Sequence, residues 1–230
     1  MIKPLILLAI LELAYFVSSR LFLSHYTGDA VSKELIWTGI RIASLIIVGI
    51  TFRELLFRKS RSPKKAGNKT LLTIGIVVFL SVPIMIGNWN LSSPLNWVYA
   101  ATSIAIGIRE EFVYRGVLQQ VLQDRLGLLW ALLISNIIFV FYHYGSLPFT
   151  TWNVFQFFVA GSILGIIYYQ TQSIWLVAIL HIFYDVIWSL TPILPQPFPL
   201  WLGYILLVGS TALLLIDFGK TRRESPASAG

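Results

Sequence analysis

The sequence predicts an all-α, polytopic integral membrane protein of about eight transmembrane helices. Three observations carry that expectation. The chain is 57% hydrophobic with a mean hydropathy of +0.77, whereas soluble domains are usually about 45–50% apolar. Charged residues make up only 12% of the chain and collect in a few short segments. Apolar runs long enough to cross a bilayer, roughly 17–25 residues, recur from one end to the other.

The first run covers about 4–24, follows Lys3 and carries Glu12 and Arg20. No small-residue cleavage site follows it, so a retained span is expected rather than a signal peptide. Further runs lie at about 35–57, 70–88, 96–123, 126–146, 152–169, 173–190 and 199–217. Together they leave no room for a soluble domain. The expectation is one membrane domain over 1–217 and a disordered, small and polar cytoplasmic tail over 218–230. The stretch "GSILG" at 161–165 puts Gly161 and Gly165 on one helix face, which suits close helix packing.

The net charge of +7 follows topology rather than nucleic-acid binding. The segment "RKSRSPKKAGNK" (58–69) holds six basic residues and no acid, and is expected to face the cytoplasm. The tail, with Lys220, Arg222 and Arg223 against Glu224, is expected on the same side. Six runs separate the two segments and two precede the first, so both termini are expected to be cytoplasmic. The stretch "HYTGDAVSKE" (25–34), with one base and two acids, fits the outer face. The chain has no cysteine, which excludes disulfides, a thiolate nucleophile and iron–sulfur ligation.

One span breaks the apolar rule. Residues 108–116, "IREEFVYRG", carry Arg109, Glu110, Glu111 and Arg115 inside the fourth run. Charges there cost several kcal/mol, roughly, at the centre of a bilayer. Glu111 and Arg115 are four apart and can pair on one helix face. Arg109 can reach towards an interface. Glu110 has no cationic partner three or four residues away, and an unpaired carboxylate is expensive to bury. It suits a general acid or base that faces water.

Two further motifs sit in later spans. "FVFYH" (139–143) places Phe139 and His143 on one face, and "HIFYD" (181–185) does the same for His181 and Asp185. A span histidine is commonly a helix–helix hydrogen-bonding group. A histidine held by a carboxylate is also a recurring catalytic and metal-site device. Two of the three histidines and three of the ten acids thus fall within three spans, which are expected to converge on one polar pocket. The depths conflict: the run boundaries put Glu110 mid-membrane, His143 nearer the outer end and His181 nearer the inner end. Convergence requires tilted helices or a fifth helix that starts deeper than its run. The remaining histidine, His25, is expected to be a solvated interfacial residue. Glu12, Arg20, Arg41, Arg53 and Glu54 are expected in interfacial or inter-helix pairs, and Asp217 at the interface.

Glu-Glu-x-x-x-Arg, Phe-x-x-x-His and His-x-x-x-Asn/Asp on successive membrane helices are the motifs of the CPBP family, the CAAX-protease and bacteriocin-processing or Abi family. "EEFVYR" (110–115), "FVFYH" (139–143) and "HIFYD" (181–185) resemble them in order and spacing, over about 96–190. The resemblance implies an intramembrane endopeptidase of the CAAX prenyl protease type, acting on a peptide or lipidated protein at the membrane. It implies that Glu110 and His143 activate the attacking water, that His181 and Asp185 stabilise the oxyanion, and that Glu111 and Arg115 support the site. Asp185 stands where many members have asparagine. Zinc is possible, since two histidines and a carboxylate could hold it. The zincin His-Glu-x-x-His is absent, and the preferred reading requires no cofactor. A proton-coupled transporter, or a non-catalytic binding or immunity protein with the same fold, is the alternative.

Overall fold

The computed structural model describes residues 3–57, 69–144, 150–191 and 197–223. All its regular elements are helical. In order they are α1 (Lys3–His25), α2 (Ala30–Thr51), the single turn α3 (Arg53–Leu56), α4 (Lys69–Ile86) and α5 (Pro94–Glu111). A π-helical segment (Phe112–Gln119) leads into α6 (Gln120–Tyr142), followed by α7 (Thr151–Thr171), α8 (Ile174–Leu190) and α9 (Pro197–Arg223). The basic segment 58–68, Pro148 and residues 224–230 lie outside the described residues, as does the side chain of Asp217.

Among the described residues five stretches are long and apolar enough to cross a membrane: α1, α2, α4, α7 and the 49-residue run Pro94–Tyr142. Ile174–Leu190 and Trp201–Leu213 are shorter apolar helices. The outward faces are large and aliphatic, with Ile50 74% and Leu129 75% exposed. In water such a surface would associate; in a bilayer it meets lipid. The chain is therefore an all-α polytopic membrane protein.

The run Pro94–Tyr142 is bent. Gly127 has φ 78° and ψ 171°, a backbone conformation that glycine adopts most readily. The chain folds back on itself there: Tyr114 packs edge-on against Phe139, with ring centres 5.0 Å apart. Arg115 reaches Asn136 at 3.2 Å. The turn settles the depth conflict. Glu110 and His143 lie 17 and 16 residues from Gly127 on the two arms, so they arrive at the same level. The fifth run was expected to extend to 146, but the helix ends at Tyr142 with His143 as its cap.

The second span also differs from its run. Expected over 35–57, it starts at Ala30 and stops at Thr51. Asp29 accepts a hydrogen bond from the Ser32 amide at 2.9 Å and so fixes the start. The Ser32 hydroxyl and then its amide hold the Asp29 carboxyl below its ordinary value. Hydropathy marks only the apolar part of a helix, whereas the cap sets where it begins. In consequence Glu34, expected in the outer loop, is buried in α2.

The charged stretch forms the centre of the bundle. Every residue from Arg109 to Gln119 is buried, and α1, α2, α5, α6, α7 and α8 all pack against or continue this segment. Gly161 and Gly165 provide the close approach expected of them. A Cβ at Gly161 would lie 2.7 Å from Asn136 Oδ1, and one at Gly165 2.4 Å from Leu132 Cδ2.

Candidate active site

Each buried charge of "IREEFVYRG" has a different solution. Arg109 does not reach for an interface. It is fully buried and donates to both carboxylate oxygens of Glu12 on α1, at 2.7 and 2.8 Å. Its Nε donates to Ser44 Oγ on α2 at 3.0 Å, and its guanidinium lies 3.5 Å from the centre of the Tyr15 ring. Arg109 thereby ties α1, α2 and α5 together, and Glu12 forms an inter-helix pair as expected.

Arg115 and Glu111 form the expected pair one turn apart, with Nε 3.3 Å from Oε2. Neither atom has hydrogen-bond alignment with the other, so the contact is an ion pair by distance. Asn136 completes the Arg115 environment and passes a second bond to Ser162 Oγ at 2.8 Å. Glu111 points its other oxygen at His181: Oε1 lies 2.7 Å from Nδ1. An ionised carboxylate only accepts, so Nδ1 carries the proton.

Glu110 faces the opposite way. Its Oε2 is buried and has no hydrogen-bond partner. It lies 3.8 Å from His181 Nε2 and 4.0 Å from His143 Nε2. These gaps are too long for direct hydrogen bonds and of the size that one water bridges. His143 Nδ1 is 2.9 Å from the Phe139 carbonyl, which also only accepts. In the neutral ring with Nδ1 protonated, Nε2 is the acceptor nitrogen. The ring is held by Phe157, stacked at 4.3 Å, and Phe139, edge-on at 4.7 Å. The Phe-x-x-x-His spacing thus serves twice, through the Phe139 carbonyl and through its ring.

Asp185 Oδ2 is 3.4 Å from His181 Nε2, on the same side of the ring as Glu110. The structure therefore brings together Glu110, His143, His181 and Asp185 around one opening, with Glu111 and Arg115 behind it. All four front a cavity of about 540 Å³. Among the described residues no group of three or more His, Asp or Glu side chains has metal-site geometry. His25 stays exposed at the end of α1, beside Ser24.

The cavity also contains residues that the sequence reading placed elsewhere. Glu34 and Arg41, on α2, form a pair at 2.5 Å that is buried in its wall. The pair lies within one helix rather than between helices. Thr102 on α5 donates to the same Glu34 oxygen at 2.9 Å. The only signal for it was a seven-residue spacing, two turns on one face, and that is common in any helix. Gln156, Tyr184 and Trp188 line the cavity too. The Tyr184 hydroxyl and Trp188 Nε1 are buried without hydrogen-bond partners.

This arrangement is one in which a water can be deprotonated beside a donor-bearing imidazole, within reach of a polypeptide. Residues 91–187 match the family model described as "Type II CAAX prenyl endopeptidase Rce1-like". The match spans less than half of the chain and includes all three motifs. No curated protein and no solved structure matches the chain.

Proposed function

We propose that this chain, whose residues 91–187 match the type II CAAX prenyl endopeptidase Rce1-like family, hydrolyses a peptide bond with a water activated by Glu110 and His143. At the level of the family the match is to a CAAX-type protease, which implies a protein substrate at the membrane. The residue roles are our reading. The observation that supports it is the unpartnered Glu110 oxygen, 4.0 Å from His143 Nε2 at the cavity.

A water between them donates one hydrogen to the Glu110 carboxylate and the other to His143 Nε2. Its oxygen then attacks the scissile carbonyl carbon while Glu110 takes the proton. The carbonyl oxygen becomes an oxyanion. His181, held at Nδ1 by Glu111, offers Nε2–H to it when doubly protonated, and a protonated Asp185 offers a second donor. Glu110 returns the proton to the amide nitrogen as the C–N bond breaks, giving an amine and a carboxylic acid, whose remaining proton the amine takes up. Phe139 and Phe157 exclude bulk water from the histidine side.

The preferred reading requires no metal. The purified protein is assayed on a library of membrane-anchored peptides and lipidated protein tails, with Glu110→Ala as control. Cleavage by wild type alone, retained after chelation, is expected. Stoichiometric zinc, with activity lost on its removal and restored on its return, overturns the metal-free mechanism. Cleavage that survives Glu110→Ala overturns the role of that residue.

A further inference from the structure

His143 sits where α6 stops, and a helix that stops leaves the carbonyls of its last four residues without intrahelical donors. In α6 these belong to Phe139, Val140, Phe141 and Tyr142. His143 itself serves two of them: Nδ1 donates to the Phe139 carbonyl at 2.9 Å, and the amide donates to the Val140 carbonyl at 3.1 Å. The Tyr144 amide donates to the Phe141 carbonyl at 3.0 Å. The Tyr142 carbonyl takes its donor from far away in the chain. Arg20, near the end of α1, places Nη2 on it at 2.8 Å.

More of α1 bears on the same residue. The Tyr142 hydroxyl donates to the Tyr15 hydroxyl at 3.2 Å, and the two rings stack with centres 6.0 Å apart. Arg109, anchored on Glu12, donates to the Tyr142 hydroxyl at 3.4 Å. The Tyr142 ring stands perpendicular to that of His143, with centres 5.2 Å apart. Arg20 Nε and Nη1 are enclosed with no hydrogen-bond partner, and the Phe16 ring centre lies 4.9 Å from its Cζ. Enclosed donors without partners are unfavourable, so the guanidinium is not placed here for stability alone. What it does make is a charge-assisted bond, which is short and directional, to the residue next to His143.

We propose that Arg20 is a positioning residue for His143: it closes the last turn of α6 from α1 and so fixes the imidazole at its distance from Glu110. The inference rests on the reading of Glu110 and His143 as the water-activating pair. Without a donor on the Tyr142 carbonyl the last turn is free to fray. His143 Nε2 then moves relative to Glu110 Oε2, which lies 4.0 Å from it. α1 lies outside residues 91–187, so a helix that the family match does not include completes the site.

The test uses the full-length protein in one detergent and a membrane-anchored peptide that wild type cleaves. Arg20→Met is expected to lower kcat about ten- to a hundredfold, the cost of a small misplacement of a reacting group, with KM nearly constant. Arg20→Lys, whose ammonium can still donate to the carbonyl, should restore a large part of the rate. Leu8→Ala is the control: Leu8 is buried in the core about three turns before Arg20. It should lower the melting temperature and leave kcat unchanged while the protein is folded. If Arg20→Met does not accumulate, Arg20→Gln, too short to reach the carbonyl, carries the same expectation. A second readout needs no turnover. In protein labelled with ¹⁵N-histidine, the His143 ring signals are assigned by their loss in His143→Gln. They should shift or broaden in the Arg20 variant, while those of His181, held by Glu111, stay in place. Unchanged kcat and unchanged His143 signals in a folded Arg20 variant overturn the proposal, as does an equal loss of kcat in Leu8→Ala. Wild-type cleavage by Glu110→Gln and His143→Gln overturns the water-activation reading instead, and the histidine spectra then still report whether Arg20 holds the ring.

Discussion

Glu111 holds His181 from behind: Oε1 lies 2.7 Å from Nδ1, on the side of the ring away from the cavity. The bond fixes which nitrogen faces the cavity, and the Arg115 ion pair at 3.3 Å fixes the carboxylate in turn. Glu111 is thus a positioning residue. Glu111→Gln keeps the shape and can keep a hydrogen bond while losing the charge. Partners of this kind cost about 10–100-fold when changed. A fall in kcat with KM nearly constant is expected, together with a lower melting temperature in detergent, because Arg115 loses its counter-ion. A purely structural role would move the melting temperature alone.

Glu110 predicts the opposite pattern. Its Oε2 has no hydrogen-bond partner, so Glu110→Gln removes no bond that holds the bundle together. Loss of cleavage with unchanged yield and melting temperature is expected. Wild-type turnover in this variant would remove Glu110 as the base.

The Arg109–Glu12 pair joins α1 to the bundle centre. Glu12→Ala strands a fully buried guanidinium, a change that costs about 3–5 kcal/mol. Arg109 also lies on the Tyr15 ring, which remains. Glu12→Leu combined with Arg109→Met removes both charges and should recover a large part of the loss, measured as thermal stability in one detergent. If the double variant is as unstable as the sum of the single ones, the two residues do not act as a pair.

Gly161 tests how tightly the Arg115 support is built. A Cβ there meets Asn136 Oδ1 at 2.7 Å and Arg115 Nη2 at 3.2 Å. Gly161→Ala must push Asn136 away from Arg115 and is expected to cost about 1–3 kcal/mol. Activity should fall in parallel with that of Arg115→Ala. An unchanged melting temperature would show that α7 can withdraw freely.

Much of the site was legible because its chemistry is costly in a membrane. Charges within apolar runs have few explanations, so Glu110, Glu111, Arg115, His181 and Asp185 stood out by their environment. Their depth did not. The level of His143 depends on the reversal at Gly127, and a single glycine between two apolar runs does not say whether the arms are equal in length. Glu34 was misplaced for a related reason, since hydropathy assigns polar residues to loops while the Asp29 cap extends α2 over them. The Glu34–Arg41 pair lies within α2 at a seven-residue spacing too common to single it out, and its further partner, Thr102 of α5, is brought by packing that no local spacing encodes.

Asp185 offers the sharpest test. An ionised carboxylate cannot donate to an oxyanion and would repel it. Asp185 can therefore act in two ways: protonated, as a second donor, or ionised, as the partner that orients His181. The geometry bears on the choice. Glu111 already occupies Nδ1 at 2.7 Å, whereas Asp185 lies 3.4 Å from Nε2, on the face where the oxyanion would form. Orientation of His181 thus has a closer source, and Asp185 is placed beside the reacting atoms. An asparagine amide donates without needing a proton, so Asp185→Asn should retain activity and extend it to higher pH. Asp185→Ala and His181→Ala should each lose on the order of 10²–10³ in rate, the usual cost of one oxyanion donor. A pH–rate profile of the three variants beside wild type decides the matter. If Asp185→Asn loses as much rate as Asp185→Ala at every pH, the residue acts through its charge on His181 and the donor role is wrong.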